Sequence, residues 1–392
     1  MSRTYSYIVA AKRSPIGHFL GGLSKLKATE IGGQVLKALL AESKVSPAAI
    51  DEVYIGQVLQ AGCGQNPARQ VALGGGLPDT ISAVTVNKVC GSSIQAAMFA
   101  DNTIRAGEAH LVVAGGVESM SNAPHLIRNY RSGFKFGNSE LVDVMLYDGL
   151  TNVYDNGLMG VIAEETATKA GVTRAQQDEL AVMSHQRAAA AAKAGHFASQ
   201  IVAITVPKAD QPFAADETIR MDASVEKLGA LRPAFSKDGT ITPGNASTIS
   251  DGAALLLIAS EEAVAKHNLK PLARIVAHTT SGGPPRELFF SPINAMKMAC
   301  EKAGWDRKTV DAWELNEAFA AQMCACLKGL EMTMDRMNVW GGAIALGHPI
   351  GASGGRILGQ LANILKQQGG KRGVASACLG GGNAVAMAIE VV

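Results

Sequence analysis

The sequence predicts an α/β fold of two similar halves with an unlike segment between them, and three observations carry this. Short apolar runs alternate with runs of helical period along most of the chain. A block near the amino end recurs in outline near the carboxyl end. From about residue 121 to 248 the alternation lapses.

At 392 residues the chain exceeds the size at which one core keeps growing, so more than one domain or subdomain is expected. Apolar residues make up 47%, charged residues 18% and aromatics 5%, with 43 glycines, a balance that suits a compact Ala/Gly/Val-rich enzyme and not a disordered or fibrous chain. A net charge of +2 excludes a polyelectrolyte surface for nucleic acid. No apolar run approaches the roughly 20 residues of a membrane span, and MSRTYSYIVAAKRSPIG has no charged leader followed by an apolar stretch. A cytoplasmic location is the expectation. The six cysteines, 63, 90, 300, 324, 326 and 378, form neither a CxxC pair nor a secreted framework. No metal site is expected, and one or two reactive thiols are.

SYIVAA (6–11) reads as the first strand, ATEIGGQVLKALLAES (28–43) as an amphipathic helix and DEVYIGQVL (51–59) as the next strand. Repeated, this order predicts a mostly parallel sheet covered by helices. AIDEVYIGQVLQ (49–60) resembles TVDAWELNEAFA (309–320), placing Asp51 on Asp311 and Gly56 on Asn316. The stretch 86–116 likewise matches 344–382: a turn with a reactive residue, a helix opening on small residues, then a strand ending in glycines. A duplication would set Cys90 and His348 at corresponding turns; two βαβ units that merely share patterning are the alternative. The expected division is 1–120 as an amino-terminal half completed by 249–270, 121–248 as an insert, and 271–392 as a carboxyl-terminal half. Within the insert, TRAQQDELAVMSHQRAAAAAKAG (173–195) reads as a helix with Thr173 and Gln176 in capping-box register and Gly195 at its stop. Arg220, Lys227, Arg232 and Lys237 follow it, and each is a phosphate contact or a solvated surface charge.

Cys90 sits between the strand-like AVTVNKV and a helix in which Ile94, Ala97, Met98 and Ile104 fall at helical spacing. A thiol there faces the positive end of a helix, which should lower its pKa, and neighbouring N–H groups suit an oxyanion. A small buried hydrophobe is the bland reading of a lone cysteine. Cys378 closes the strand-like RGVASAC and runs into glycines; alone, it would be a core thiol. His348 precedes Pro349, so it is biased away from helix, and it lies in a glycine-rich loop, NVWGGAIALGHPIGASGGR (338–356), an improbable setting for a core filler. Asn316 follows the strand-like VDAWEL and is a helix cap unless it serves the site. No GxGxxG follows the first strand, and GCGQNP (62–67) has the wrong spacing for a dinucleotide loop.

VCGSS around Cys90, GGVESMSNAP (115–124), RPAF (232–235), GNAS (244–247), NEAFA (316–320), GGAIALGHPIGASGGR (341–356) and CLGGG (378–382) resemble the signature blocks of the thiolases, near their acetyl-CoA acetyltransferase branch, in order and over essentially the whole chain. The resemblance implies the five-layered αβαβα thiolase fold of two similar halves with an inserted loop domain that binds coenzyme A. It implies an acyltransferase that reversibly condenses two acetyl-CoA to acetoacetyl-CoA and CoA through an acetyl-cysteine. CoA is then substrate and product, with no prosthetic group, and the chain a homodimer or homotetramer. By resemblance Cys90 is the acylated nucleophile, His348 its base, Cys378 a second acid/base and Asn316 the holder of a water. The N–H groups of Cys90 and Gly380 form one oxyanion hole; His348 and the Asn316-bound water form the other. Arg220, Phe235, Ala246, Ser247, Met159, Ala318 and Phe319 match the CoA tunnel. The chain departs from the family at Leu158, where a histidine is common, and at Leu288, Phe289, Phe290 and Ser291, which replace a Met-Gly-x-Gly pattern. A broad-range degradative 3-ketoacyl-CoA thiolase is therefore the alternative. A ketosynthase-like condensing enzyme would share the nucleophile but not the NEAFA block or the glycines after Cys378, and a non-catalytic relative would lack a catalytic residue.

Overall fold

The computed structural model describes residues 5–392; the first four residues of the stretch read for a leader lie outside it. Nine strands carry the fold: β1 Ser6–Arg13, β2 Glu52–Gly56, β3 Ser82–Val86, β4 Leu111–Ser119, β5 Ser250–Ser260, β6 Ala273–Gly282, β7 Ala312–Leu315, β8 Arg372–Leu379 and β9 Asn383–Glu390. They run β7-β8-β9-β6-β1-β5-β4-β2-β3 in one sheet, with the two-residue strand Gly17–His18 added beside β5. The main helices are α1 Ala28–Ser43, α2 Pro67–Gly74, α3 Ser92–Ala106, α4 Met159–Ala170, α5 Arg174–Lys193, α6 Ser291–Ala303, α7 Ala320–Leu330 and α8 Ser353–Gln368.

The internal repeat is present in the pairing. On one side β2 runs parallel to β4, and β4, β5 and β1 follow antiparallel. On the other, β7 runs parallel to β8, and β8, β9 and β6 follow antiparallel. Even β3 has a remnant counterpart, the single parallel bridge of Trp313 with Met337. The aligned aspartates do the same work: the Asp51 carboxylate accepts from the N–H groups of His110 and Leu111 at 2.7 and 2.9 Å, and Asp311 from those of Lys371 and Arg372 at 2.7 and 2.8 Å. Each carboxylate pins the start of a strand to the turn before its parallel neighbour.

The sheet is mixed, which corrects the expectation of a mostly parallel one. Helical crossovers produce the parallel pairs, but β8 and β9 are joined by a tight turn in which Gly381 and Gly382 both take φ +89, and such a hairpin can only be antiparallel. β5 follows the long segment after β4 and runs against both neighbours.

Buried side chains arrange the elements in five layers. Ile94, Met98 and Ile104 of α3 pack with Ile357, Leu358 and Leu361 of α8 between the inner faces of the half-sheets. Ile31, Val35 and Leu39 of α1 cover the outer face of the first, and Met296 and Ala299 of α6 that of the second. The half-sheets meet where β1 pairs with β6 over three residues, Ser6 with Ile275, Tyr7 with Arg274 and Ile8 with Ala273. Between β4 and β5 the chain leaves the layers; there α5 opens on the Thr173/Gln176 capping box, and Gly195 lies past its end at φ +74.

Asp101 of α3 ties the layers together. Its buried carboxylate accepts from Ser6 Oγ and lies 2.8 Å from Arg105 Nε and 3.2 Å from His278 Nε2. Burial would raise its pKa, but hydrogen bonds from His278, Arg105 and Ser6 outweigh that and hold it below its ordinary value. A depressed acid contributes stability above its unfolded pKa of about 3.9, and that contribution is lost as pH falls. Asp101→Asn is expected to cost roughly 3–5 kcal/mol at pH 7, with the gap to wild type narrowing below about pH 4, as urea titrations at the two pH values would show.

Candidate active site

A cavity of about 480 Å³ is lined by Cys90, His348, Cys378 and Gly380. Cys90 comes from the turn between β3 and α3, where Val89 is held at φ 47. A left-handed angle at a β-branched residue costs on the order of 1–3 kcal/mol. Ser92 stabilises it: its Oγ donates to the Val89 carbonyl at 2.6 Å and accepts from the Lys88 N–H at 2.9 Å. Cys378 is the penultimate residue of β8, and Gly380 opens the turn that follows.

His348 precedes α8, in the glycine-rich loop. Gly347 takes φ +96 with Ser250 Oγ 2.5 Å from where a Cβ would stand, and a Cβ on Gly116 of β4 would lie 1.9 Å from the Gly351 carbonyl. These glycines let the loop press against neighbouring parts of the chain. His348 is 7% exposed. Its Nδ1 lies 2.6 Å from Ser353 Oγ, which itself donates to the Pro349 carbonyl at 3.0 Å. Its Nε2 lies 3.4 Å from Asn316 Nδ2. Asn316 is fully buried one step behind the cavity wall, and its Oδ1 has no partner in the structure, an orphan acceptor of the kind that a bound water satisfies.

Burial pushes His348 down to about 3, with the Arg356 cation adding to the effect, so the ring is neutral at pH 7. The expectation of a depressed Cys90 is overturned: burial pushes its thiol up to about 12, and the Glu118 carboxylate adds to that. Cys90 keeps part of its surface open to the cavity but is otherwise packed in protein, and desolvation outweighs the helix terminus. Burial also raises Cys378, with the two neighbouring thiols Cys90 and Cys326 contributing. The resting site thus holds two thiols and a neutral imidazole.

The seven residues matched to a CoA tunnel, Met159, Arg220, Phe235, Ala246, Ser247, Ala318 and Phe319, also line the cavity. Ser247 Oγ donates to the Ala318 carbonyl at 2.9 Å, and Ala246 bridges to Phe319. Arg220 is fixed by its N–H to His185 Nδ1 at 3.1 Å and by its guanidinium to the Pro243 carbonyl at 3.1 Å. The other basic candidates are not brought in: Lys227 pairs with Asp222 at the surface, and Arg232 and Lys237 are exposed. Leu158, Leu288 and Phe289 stand in the wall, while Phe290 does not. The Phe289 ring meets Phe319 edge-on at 5.4 Å.

Two supporting residues escaped the sequence reading. Ser353 lies five positions beyond His348, visible only as one more small residue at a helix start. Glu118, buried in β4, accepts from the N–H groups of Val58, Leu59 and Gly351 at 3.1, 3.2 and 2.9 Å, tying the histidine loop to the other half. An acid in so apolar a strand is the signal that could have found it.

Comparison with known proteins gives one family. Residues 6–262 match the family described as "Thiolase, N-terminal domain" and residues 269–391 "Thiolase, C-terminal domain". The chain is 50% identical over 386 residues to the acetyl-CoA acetyltransferase of Chromobacterium violaceum and 46% identical over 386 residues to that of Cupriavidus necator, covering 98% of both chains in each case. It superposes on the crystal structure of the Bacillus anthracis acetyl-CoA acetyltransferase with a TM-score of 0.97 at 40% identity, covering 100% of this chain and 99% of that one.

Proposed function

Because the chain belongs to the thiolase family, we propose that it works as an acetyl-CoA acetyltransferase, joining two acetyl-CoA into acetoacetyl-CoA and CoA and running the reverse thiolysis. The observation that carries the reading is the single cavity in which Cys90 of one half meets His348 and Cys378 of the other, with Asn316 against His348 Nε2.

His348 Nε2 takes the proton of Cys90 as the thiol attacks the acetyl carbonyl. With the thiol high and the imidazole neutral, transfer accompanies attack and does not precede it. The N–H groups of Cys90 and Gly380 receive the tetrahedral oxyanion, and CoA leaves as its thiol by taking the proton of Cys378, which is left as a thiolate while His348 keeps the proton of Cys90. Cys378 then removes a proton from the methyl carbon of a second acetyl-CoA. His348 and a water on Asn316 stabilise the resulting enolate, which attacks acetyl-Cys90 and expels the Cys90 sulfur, reprotonated through His348. Arg220 is the contact for the adenine or phosphates of CoA, and the apolar wall holds its pantetheine arm.

We further read residues 121–248 as the CoA-binding loop domain between the two halves, the enzyme as a cytoplasmic homodimer or homotetramer, and its chemistry as needing no prosthetic group; family membership supports these readings. No helix among the described residues is long and apolar enough to cross a membrane. Mixing the protein with acetoacetyl-CoA and CoA tests the activity: acetyl-CoA must form.

Leu288 and Phe289 favour short acyl chains, because they occupy wall volume that extra methylenes would need. Inserting methylenes into filled space costs on the order of 1–3 kcal/mol. The kcat/KM for thiolysis is expected to fall roughly 5- to 100-fold from the four-carbon 3-ketoacyl-CoA to longer substrates, and Phe289→Leu to flatten that decline. A kcat/KM that rises toward eight or ten carbons would instead establish the broad-range degradative enzyme, the reading that Leu158 favours by making the wall greasier.

A further inference from the structure

We infer that Ser353 is a positioning residue that sets the tautomer of His348, holding the proton on Nδ1 so that Nε2 presents its lone pair to the reacting thiol. The inference rests on the role of His348 proposed above and extends it to a residue outside the cavity wall. Three contacts carry it. Ser353 Oγ has one proton, and it is directed to the Pro349 carbonyl at 3.0 Å, a group that can only accept. The 2.6 Å contact with His348 Nδ1 must then use a lone pair of Oγ, so Nδ1 carries the hydrogen. At the other side of the ring, the Asn316 amide nitrogen at 3.4 Å is a donor, which leaves Nε2 as acceptor. The reverse tautomer would set Nε2–H against the N–H of Asn316 and require Ser353 to abandon Pro349.

The backbone makes this arrangement rigid. Ser353 is fully buried in the first turn of α8, with its own N–H donating to the Pro349 carbonyl at 3.0 Å, while the His348 N–H donates to Ser250 Oγ and the Thr248 carbonyl, both at 3.2 Å. Both ring and serine are therefore fixed by backbone. When Nε2 takes the Cys90 proton, the ring becomes an imidazolium whose Nδ1–H stays on Ser353. The proton goes back through the same Nε2 when the sulfur departs. The positive helix terminus and the Arg356 cation disfavour a lasting imidazolium, so the proton is released again.

The test has three arms. In wild-type enzyme labelled at the imidazole nitrogens, proton–nitrogen correlation spectra should show His348 Nδ1 as protonated and Nε2 as bare. Ser353→Ala should mix the two forms and lower kcat for thiolysis roughly 10- to 100-fold with the KM for CoA little changed, by analogy with the loss when a partner that orients a metal-bound histidine is removed. Ser353→Thr, which keeps the hydroxyl, should recover most of the rate. A proton on Nε2 in the wild type, or kcat of Ser353→Ala within twofold of wild type, overturns the inference. His348→Ala separates the two failures: if it collapses activity while Ser353→Ala does not, only the role of Ser353 falls, whereas if neither matters the assignment of the site falls with it. Should Ser353→Ala not fold, the wild-type spectrum decides alone.

Discussion

Brief exposure to acetyl-CoA is expected to add one acetyl group per chain, on the peptide that carries Cys90, and Cys90→Ala to abolish both that adduct and turnover. The loss should reach at least about 10⁴ in kcat/KM, since removing a nucleophile that acts in concert with its base costs about as much as removing the whole set. Cys90 is the half-open thiol at the cavity, whereas Cys378 is 1% exposed. The elevated thiol makes a further demand: acetylation should need His348 intact, because no standing thiolate is available to react without it. Mass spectrometry of the digested protein reads the result. An acetyl group on Cys378 alone, in an active sample, would reverse the two roles.

Cys378→Ala is expected to leave Cys90 acetylated while condensation and thiolysis both fall by roughly 10²–10⁴, the range for losing a general acid–base. The argument is again one of position. Cys378 faces the cavity from the end of β8, beside Cys90, and burial keeps it a protonated thiol that can donate to the leaving CoA sulfur, after which the thiolate so formed can accept from a carbon acid. Comparing the acetylation burst with steady turnover divides the two steps. Loss of the burst in parallel with turnover would show that no other proton source can release CoA in the place of Cys378.

Much of this was legible in the sequence because local pattern and global fold agree. The helix at 28–43 and the capped helix from 173 coincide with α1 and α5, and the alignment of Asp51 with Asp311 finds two carboxylates doing one job. Eleven of the twelve residues that the family resemblance assigns to the site line the cavity, and the twelfth, Asn316, lies against His348 from behind, whereas Lys227, Arg232 and Lys237, read as candidate phosphate contacts, stay at the surface. Strand direction was less legible: an apolar run has the same period either way, and only the turn between β8 and β9 or the long detour before β5 decides it. The thiol pKa was misjudged because sequence displays the helix start but not the atoms that exclude water. Ser353 and the backward-twisted Val89 were invisible for a related reason: a hydroxyl's partner and a strained angle are set by tertiary contact, and neither leaves a pattern.

The seam where β1 joins the two half-sheets has a consequence for how the chain is made. β1 precedes the other described strands in the chain, yet it occupies the interior of the sheet, and both its neighbours, β5 and β6, lie far down the chain. At a synthesis rate of about 5–20 residues per second, its apolar residues wait on the order of ten seconds or more for a partner. Until then Ile8 and Ala10 form an unpaired edge, the kind of surface that seeks strands of other chains. Closure over such sequence separations is slow even once the partners exist. The same strand that welds the half-sheets in the finished fold thus leaves the nascent chain with an open edge, with productive pairing deferred until β5 and β6 have been made.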